Sequence, residues 1–134
     1  MGINIFISHA WDYNTDYYIL ENWLDESLEW RNMSIPNHAA KETKNDSELE
    51  LMIRNNIKNS SIFLVIGGMY VAQSNRKWIS KEIEIAKNYG KYMIVIKPRG
   101  NQNMPKILQE NANEIVGWSS KSIINAIKDY ENVK

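Results

Sequence analysis

One residue in the segment Lys77–Lys87, KWISKEIEIAK, breaks the pattern around it. A helix turns about 100° per residue. On that wheel Trp78, Ile79, Ile83, Ile85, Ala86 and Tyr89 share an apolar arc, and Ser80, Lys81, Glu84, Lys87 and Asn88 fill the opposite one. Glu82 falls inside the apolar arc, one turn after Trp78 and about 40° from it. A carboxylate placed there loses its hydration, at a cost of several kcal/mol unless a partner compensates. Two readings are open. Glu82 is a structural carboxylate paired with a lysine or arginine, or it points into a pocket with a perturbed pKa, as functional carboxylates do.

The elements that must position it are legible as an alternation. Ile3–Ser8 (INIFIS) is a continuous apolar run suited to a buried parallel strand. Leu20, Trp23, Leu24 and Leu28 recur at helical spacing, with Asn14 or Thr15 as the cap. Arg31–Ile35 is a short strand stopped by Pro36, and a polar loop follows. Ser47 and Glu50 form a capping box for a helix burying Leu49, Met52, Ile53 and Ile57. Ser61–Gly68 (SIFLVIGG) is the central strand. The Glu82 helix comes next, capped by Ser74 or Asn75 and closed by Gly90. Tyr92–Pro98 is the next strand, Pro105 lies near the start of a short helix, and Glu114–Trp118 is the last strand. Ser119 or Ser120 caps a final helix carrying Ile123, Ile127 and Tyr130.

Five successive β–α units predict a three-layer α/β fold, with a five-stranded parallel sheet and helices on both faces. The expected strand order is the flavodoxin-like 2-1-3-4-5, in one domain over residues 1–134. In such sheets ligands bind where the order reverses, outside the carboxyl ends of strands one and three. Those ends are Ser8–Tyr13 (SHAWDY) and Gly67–Tyr70 (GGMY). Ser8, His9, Trp11, Gly68, Tyr70, Trp78 and Glu82 should therefore border one crevice, with the paired glycines letting a ligand approach the backbone. Each has a plainer role open to it: Ser8 a turn cap, His9 a partner for backbone groups, Trp11, Tyr70 and Trp78 core or cleft wall.

Composition narrows the chemistry. Sixteen basic residues balance sixteen acidic ones with no basic stripe, which argues against nucleic acid as a partner. With no cysteine there is no thiol chemistry, and two histidines alone do not make a metal site. No apolar run approaches the ~20 residues of a membrane span. The amino terminus does not read as a signal peptide, so the expected location is the cytoplasm. Neither G-x-G-x-x-G after strand one nor a P-loop is present, which argues against a dinucleotide held as in dehydrogenases.

The ordered set FISHAWDY, RNMSIP, GGMY, KWISKEIEIAK, IVIKPRG and EIVGW resembles the bacterial TIR-like family that includes ThsB of Thoeris anti-phage systems, over Ile5 to about Tyr130. Related TIR domains cleave NAD at the nicotinamide–ribose bond. Their catalytic glutamate lies in a Trp-x-x-Lys-Glu-like run after strand three. The resemblance places Glu82 as that glutamate and Trp78 as the tryptophan before it, and it makes Pro36–Asp46 the variable loop that gates the cleft. Arg99 departs from the aromatic residue expected after the strand-four proline.

The resemblance implies an NAD glycohydrolase or cyclase that consumes NAD as substrate, holds no cofactor, and makes an ADP-ribose-derived signal of the cyclic type. It also implies assembly with other copies or TIR domains, a separate effector protein that senses the signal, and a phage-derived trigger. Two competitors stand beside it. One is a non-catalytic TIR scaffold. The other is a receiver-like domain, which lacks support because strand three ends in Gly67 and Gly68 rather than an aspartate.

Overall fold

The computed structural model describes residues 2–8, 15–35, 45–68, 76–98 and 103–133. Five parallel strands form one sheet: β1 (Ile3–Ser8), β2 (Trp30–Asn32), β3 (Ile62–Ile66), β4 (Tyr92–Ile96) and β5 (Glu114–Val116), in the expected order β2-β1-β3-β4-β5. Between and after them run α1 (Thr15–Ser27), α2 (Asp46–Lys58), α3 (Arg76–Asn88), α4 (Lys106–Asn111) and α5 (Ser120–Val133). The helix α2 packs on α3, and α1 on α5.

Side-chain alternation assigns the two faces of the sheet. The register pairs Phe6 with Phe63 and Ser8 with Val65, and then Phe63 with Met93 and Val65 with Val95. These residues lie on the face covered by α2 and α3. The rings of Phe6 and Phe63 stack there, 5.6 Å between centroids. Ile94, Ile96 and Tyr92 point the other way, where Tyr92 meets Tyr130 of α5 at 4.8 Å. Every residue of β3 is buried, as expected of a strand covered on both sides.

Several boundaries differ from the sequence expectation, each for a local reason. The second strand ends at Asn32, not Ile35. The Asn32 carboxamide oxygen accepts from Ser34 N at 2.9 Å, and the Ser34 hydroxyl accepts from Ile7 N at 2.8 Å. Side chains thus take over the ladder that backbone would have continued. No Ser47–Glu50 box starts α2. Asn45 is its N-cap, accepting from Glu48 N at 2.8 Å. Glu50 is instead held by Lys81 and Arg54.

At the other end of α3, Gly90 adopts φ 66°. Its N–H donates to Lys87 O, and Lys91 N donates to Ala86 O, which completes a Schellman closure. Tyr89 is then the residue at the turn, 42% exposed, and not part of the buried arc. For α5, Ser119 is the cap, its hydroxyl accepting from Ser122 N at 3.1 Å. The candidate caps Asn14, Ser74 and Asn75 lie outside the described residues.

The glycines after β3 differ from one another. A Cβ on Gly67 would lie 2.5 Å from the carbonyl oxygen of Ile96 and 3.2 Å from Cδ of Pro98. A Cβ on Gly68 would meet only Cα of Pro98, at an ordinary 3.8 Å. Gly67 therefore exists to let the ends of β3 and β4 converge. Gly67→Ala should lower stability by about 1–3 kcal/mol, read as a drop in thermal midpoint, whereas Gly68→Ala should leave the midpoint nearly unchanged. Equal midpoints for the two variants would contradict the packing described.

Candidate functional site

Ser8 is the last residue of β1, and alternation turns its hydroxyl toward the α3 side of the sheet. Glu82 lies midway along α3, on the face that buries Ile79, Ile83, Ile85 and Ala86. The two meet: Ser8 Oγ donates to Glu82 Oε1 at 2.5 Å. Both are shut off from solvent, Ser8 at 0% and Glu82 at 2% exposure. The contact lies at the short end of the range for O–H···O hydrogen bonds.

The electrostatics follow from what is missing around this pair. Among the described side chains, which do not include those of Arg76 and Lys77, no lysine or arginine approaches Glu82. Its neighbour Lys81 points along the α2–α3 seam, where its ammonium meets Glu50 Oε1 at 2.5 Å and lies 5.7 Å from the centre of the Trp78 ring. Arg54 holds the other oxygen of Glu50 at 2.9 Å. The reading of Glu82 as half of a structural ion pair thus has no support among the described residues. Burial pushes its pKa up from 4.5 to about 8, and the single hydrogen bond from Ser8 only partly opposes the shift. At neutral pH the group is therefore mostly a neutral acid.

The remaining expected site residues are placed as follows. Trp78 is half-buried, packs against the core one turn before Glu82, and is engaged by Lys81. Gly68 lies just past β3, beside the end of β4. His9, Trp11 and Tyr70 lie outside the described residues, as do residues 36–44 of the expected gating loop and Arg99. The open grooves among the described residues include two beside the helices and the sheet end. One runs between α3 and α4, past Ser80, Ile83, Lys87, Ile107 and Asn111. The other lies beside Asn4, Asp25 and Trp30 at the amino end of the sheet. Neither is lined by Ser8 or Glu82. The carboxyl itself is closed off from solvent.

A second polar cluster escaped the sequence reading. The Asn32 amide donates to the Tyr17 hydroxyl at 2.6 Å and to Glu21 Oε2 at 2.8 Å, while Ser34 holds Ile7 N, one residue before Ser8. Burial raises the Tyr17 pKa, and the hydrogen bond from Asn32 partly offsets this. Asn32 and Ser34, two polar residues at strand spacing, were the available signal. They tie the end of β2 to β1 immediately beside the Ser8–Glu82 pair.

The family model of the Thoeris protein ThsB, TIR-like domain, matches residues 6–103. No curated protein matches the chain. Among solved structures, that of the CMP N-glycosidase BcmB of Clostridium botulinum has a TM-score of 0.61 at 15% identity, covering 93% of this chain and 98% of that one. At that identity the likeness speaks to the fold alone. No helix among the described residues is long and apolar enough to cross a membrane.

The buried acid has a consequence for stability. The unfolded chain ionises this group near pH 4.5, and the folded chain holds the proton to about pH 8. Between those values the folded state binds the extra proton, so stability falls as pH rises, by up to about 1.4 kcal/mol per unit. The contribution is fully present below pH 4.5 and gone above about 8. Glu82→Gln should remove that slope and exceed the wild type in thermal midpoint at pH 9, with the two converging near pH 5. A parallel pH dependence in both proteins would contradict this assignment.

Proposed function

We propose, from the premise that this chain belongs to the TIR-like family of the Thoeris protein ThsB, that it cleaves NAD at the nicotinamide–ribose bond and releases an ADP-ribose-derived signal, of the cyclic type, in anti-phage defence. The observation that carries the reading is Glu82: a fully buried carboxyl at the carboxyl end of β1, held by one hydroxyl and by no cation among the described residues. A scaffold gains nothing from such a group, which weakens the fold at neutral pH.

The chemistry asks for one carboxylate. Nicotinamide leaves a pyridinium cation as a neutral molecule, so the leaving group needs no acid. Two carboxyl groups are usual where a poor leaving group must be protonated. Ionised Glu82 accepts hydrogen bonds from the ribose hydroxyls and faces the positive charge that develops on C1′. In a water-poor site that stabilisation is worth several kcal/mol. Ser8 holds the carboxyl in place through Oε1 and leaves Oε2 for the sugar. Attack by water gives ADP-ribose, and attack from within the same molecule gives a cyclic product. NAD is thus the substrate and not a resident cofactor. The proposal extends to assembly with other copies, to a phage-derived trigger, and to a separate effector protein that reads the nucleotide.

Incubation of purified protein with NAD, with and without lysate from infected cells, tests the reading by chromatography. Wild type should release nicotinamide, and Glu82→Gln should release it at least roughly 100-fold more slowly. Below about pH 8, kcat/KM should rise about tenfold per pH unit and then level off. Equal release by both proteins would overturn the role of Glu82. No release under any condition would favour the scaffold.

A further inference from the structure

The site has a neutral acid where the proposed chemistry needs an anion, and the walls explain why. Ser8 is the polar side chain that β1 turns toward Glu82. On the same face the sheet offers Phe6, Phe63, Val65, Met93 and Val95. The buried residues of α2 are Leu49, Ile53 and Ile57. The charged groups of the α2–α3 seam are committed to one another: Lys81 and Arg54 both bind Glu50. Of the titratable groups that follow β1 and β3 in sequence, the side chains of His9, Asp12, Tyr13, Tyr70, Arg76 and Lys77 lie outside those described. An anion in this enclosure, with one hydroxyl as donor, costs several kcal/mol. The described protein supplies no positive charge to offset it. A ligand with a cationic ring does.

We propose that Glu82 is charge-coupled to its substrate: it gives its proton to solvent when a cationic N-glycoside binds against it, keeps that proton when the base is neutral, and recovers one from the nucleophile that attacks C1′. The inference rests on the NAD-cleaving reading and names what that site selects, the positive charge of the base. Linkage requires the coupling. A ligand that binds best to the ionised form must draw the proton off, and its affinity must rise with pH while that proton is still held.

The cycle balances. Binding releases one proton from Glu82. The C1′–N bond then breaks, its electron pair stays on the ring nitrogen, and neutral nicotinamide departs. The positive charge passes to C1′. The oxygen of water bonds to C1′, and a water proton moves to the Glu82 carboxylate, restoring the resting acid. In sum, NAD and water give ADP-ribose, nicotinamide and the one proton lost on binding. If a hydroxyl of the same molecule attacks, it gives its proton to Glu82 in the same way. The proton-holding pKa near 8 keeps this reloading favourable at neutral pH.

Calorimetry on the full chain at pH 7 provides the test, in two buffers of different ionisation enthalpy. The probes are a carbocyclic NAD analogue, which carries the pyridinium but cannot be cleaved, and NADH, whose ring is neutral. The analogue should release nearly one proton per site and NADH nearly none. Glu82→Gln should release none with either. In the wild type alone, the Kd of the analogue should fall about tenfold per pH unit up to about pH 8, while that of NADH stays flat. Equal proton counts and parallel pH profiles for the two rings, alongside Glu82-dependent NAD cleavage, would overturn this inference and leave the NAD-cleaving reading standing. Failure of the protein to bind either dinucleotide or to cleave NAD would overturn both.

Discussion

The contact between the Ser8 hydroxyl and the Glu82 carboxyl joins the end of β1 to the middle of α3 across a dry interface. Most of the core would pack as well with an apolar residue at position 82. The carboxyl group makes this interface chemically different from the rest. Burial holds its proton on, one hydroxyl orients it, and nothing charged among the described residues relieves it. The buried carboxyl costs the fold stability as pH rises toward neutral, and the packing alone does not require it.

The fold supplies the rigidity this pair needs. Stacked Phe6 and Phe63 fix the sheet one layer beneath Ser8. The Lys81–Glu50–Arg54 network locks the rotation of α3 against α2, so that consecutive residues 81 and 82 face different partners. Gly90 stops α3 in a fixed closure, which sets its length relative to the strands. Gly67 lets β3 and β4 end close together on the same edge of the sheet. Each of these contacts limits how far the carboxyl can move.

Much of this was legible in the sequence because periodicity and punctuation agreed. The five apolar runs separated by amphipathic stretches dictated the parallel sheet and its order, and Glu82 stood out as a charge on the wrong side of its helix. The misses share a cause. Whether β2 continues past Asn32 depends on where the Asn32 and Ser34 side chains point, and a linear pattern does not encode this. Glu50 looked like half of a capping box because its spacing from Ser47 fits, but two cations from α2 and α3 outcompete the backbone for it. Tyr89 was assigned to the buried arc by extending the helical wheel one residue past the last helical turn. Gly67 and Gly68 looked equivalent, and only the approach of Ile96 separates them. His9, Trp11 and Tyr70 were joined to Glu82 by the rule that ligands bind where the strand order reverses, and they lie outside the described residues.

Glu82 rests as a neutral acid because its enclosure, among the described side chains, contains a hydroxyl and no cation. Carbon-13 NMR of glutamate-labelled protein, with Glu82→Gln to assign the signal, measures this directly through the carboxyl shift as pH is varied. A midpoint near 8, moving upward when Ser8→Ala removes the hydrogen bond, is the predicted result. A midpoint in the usual carboxylate range, indifferent to Ser8, would contradict it.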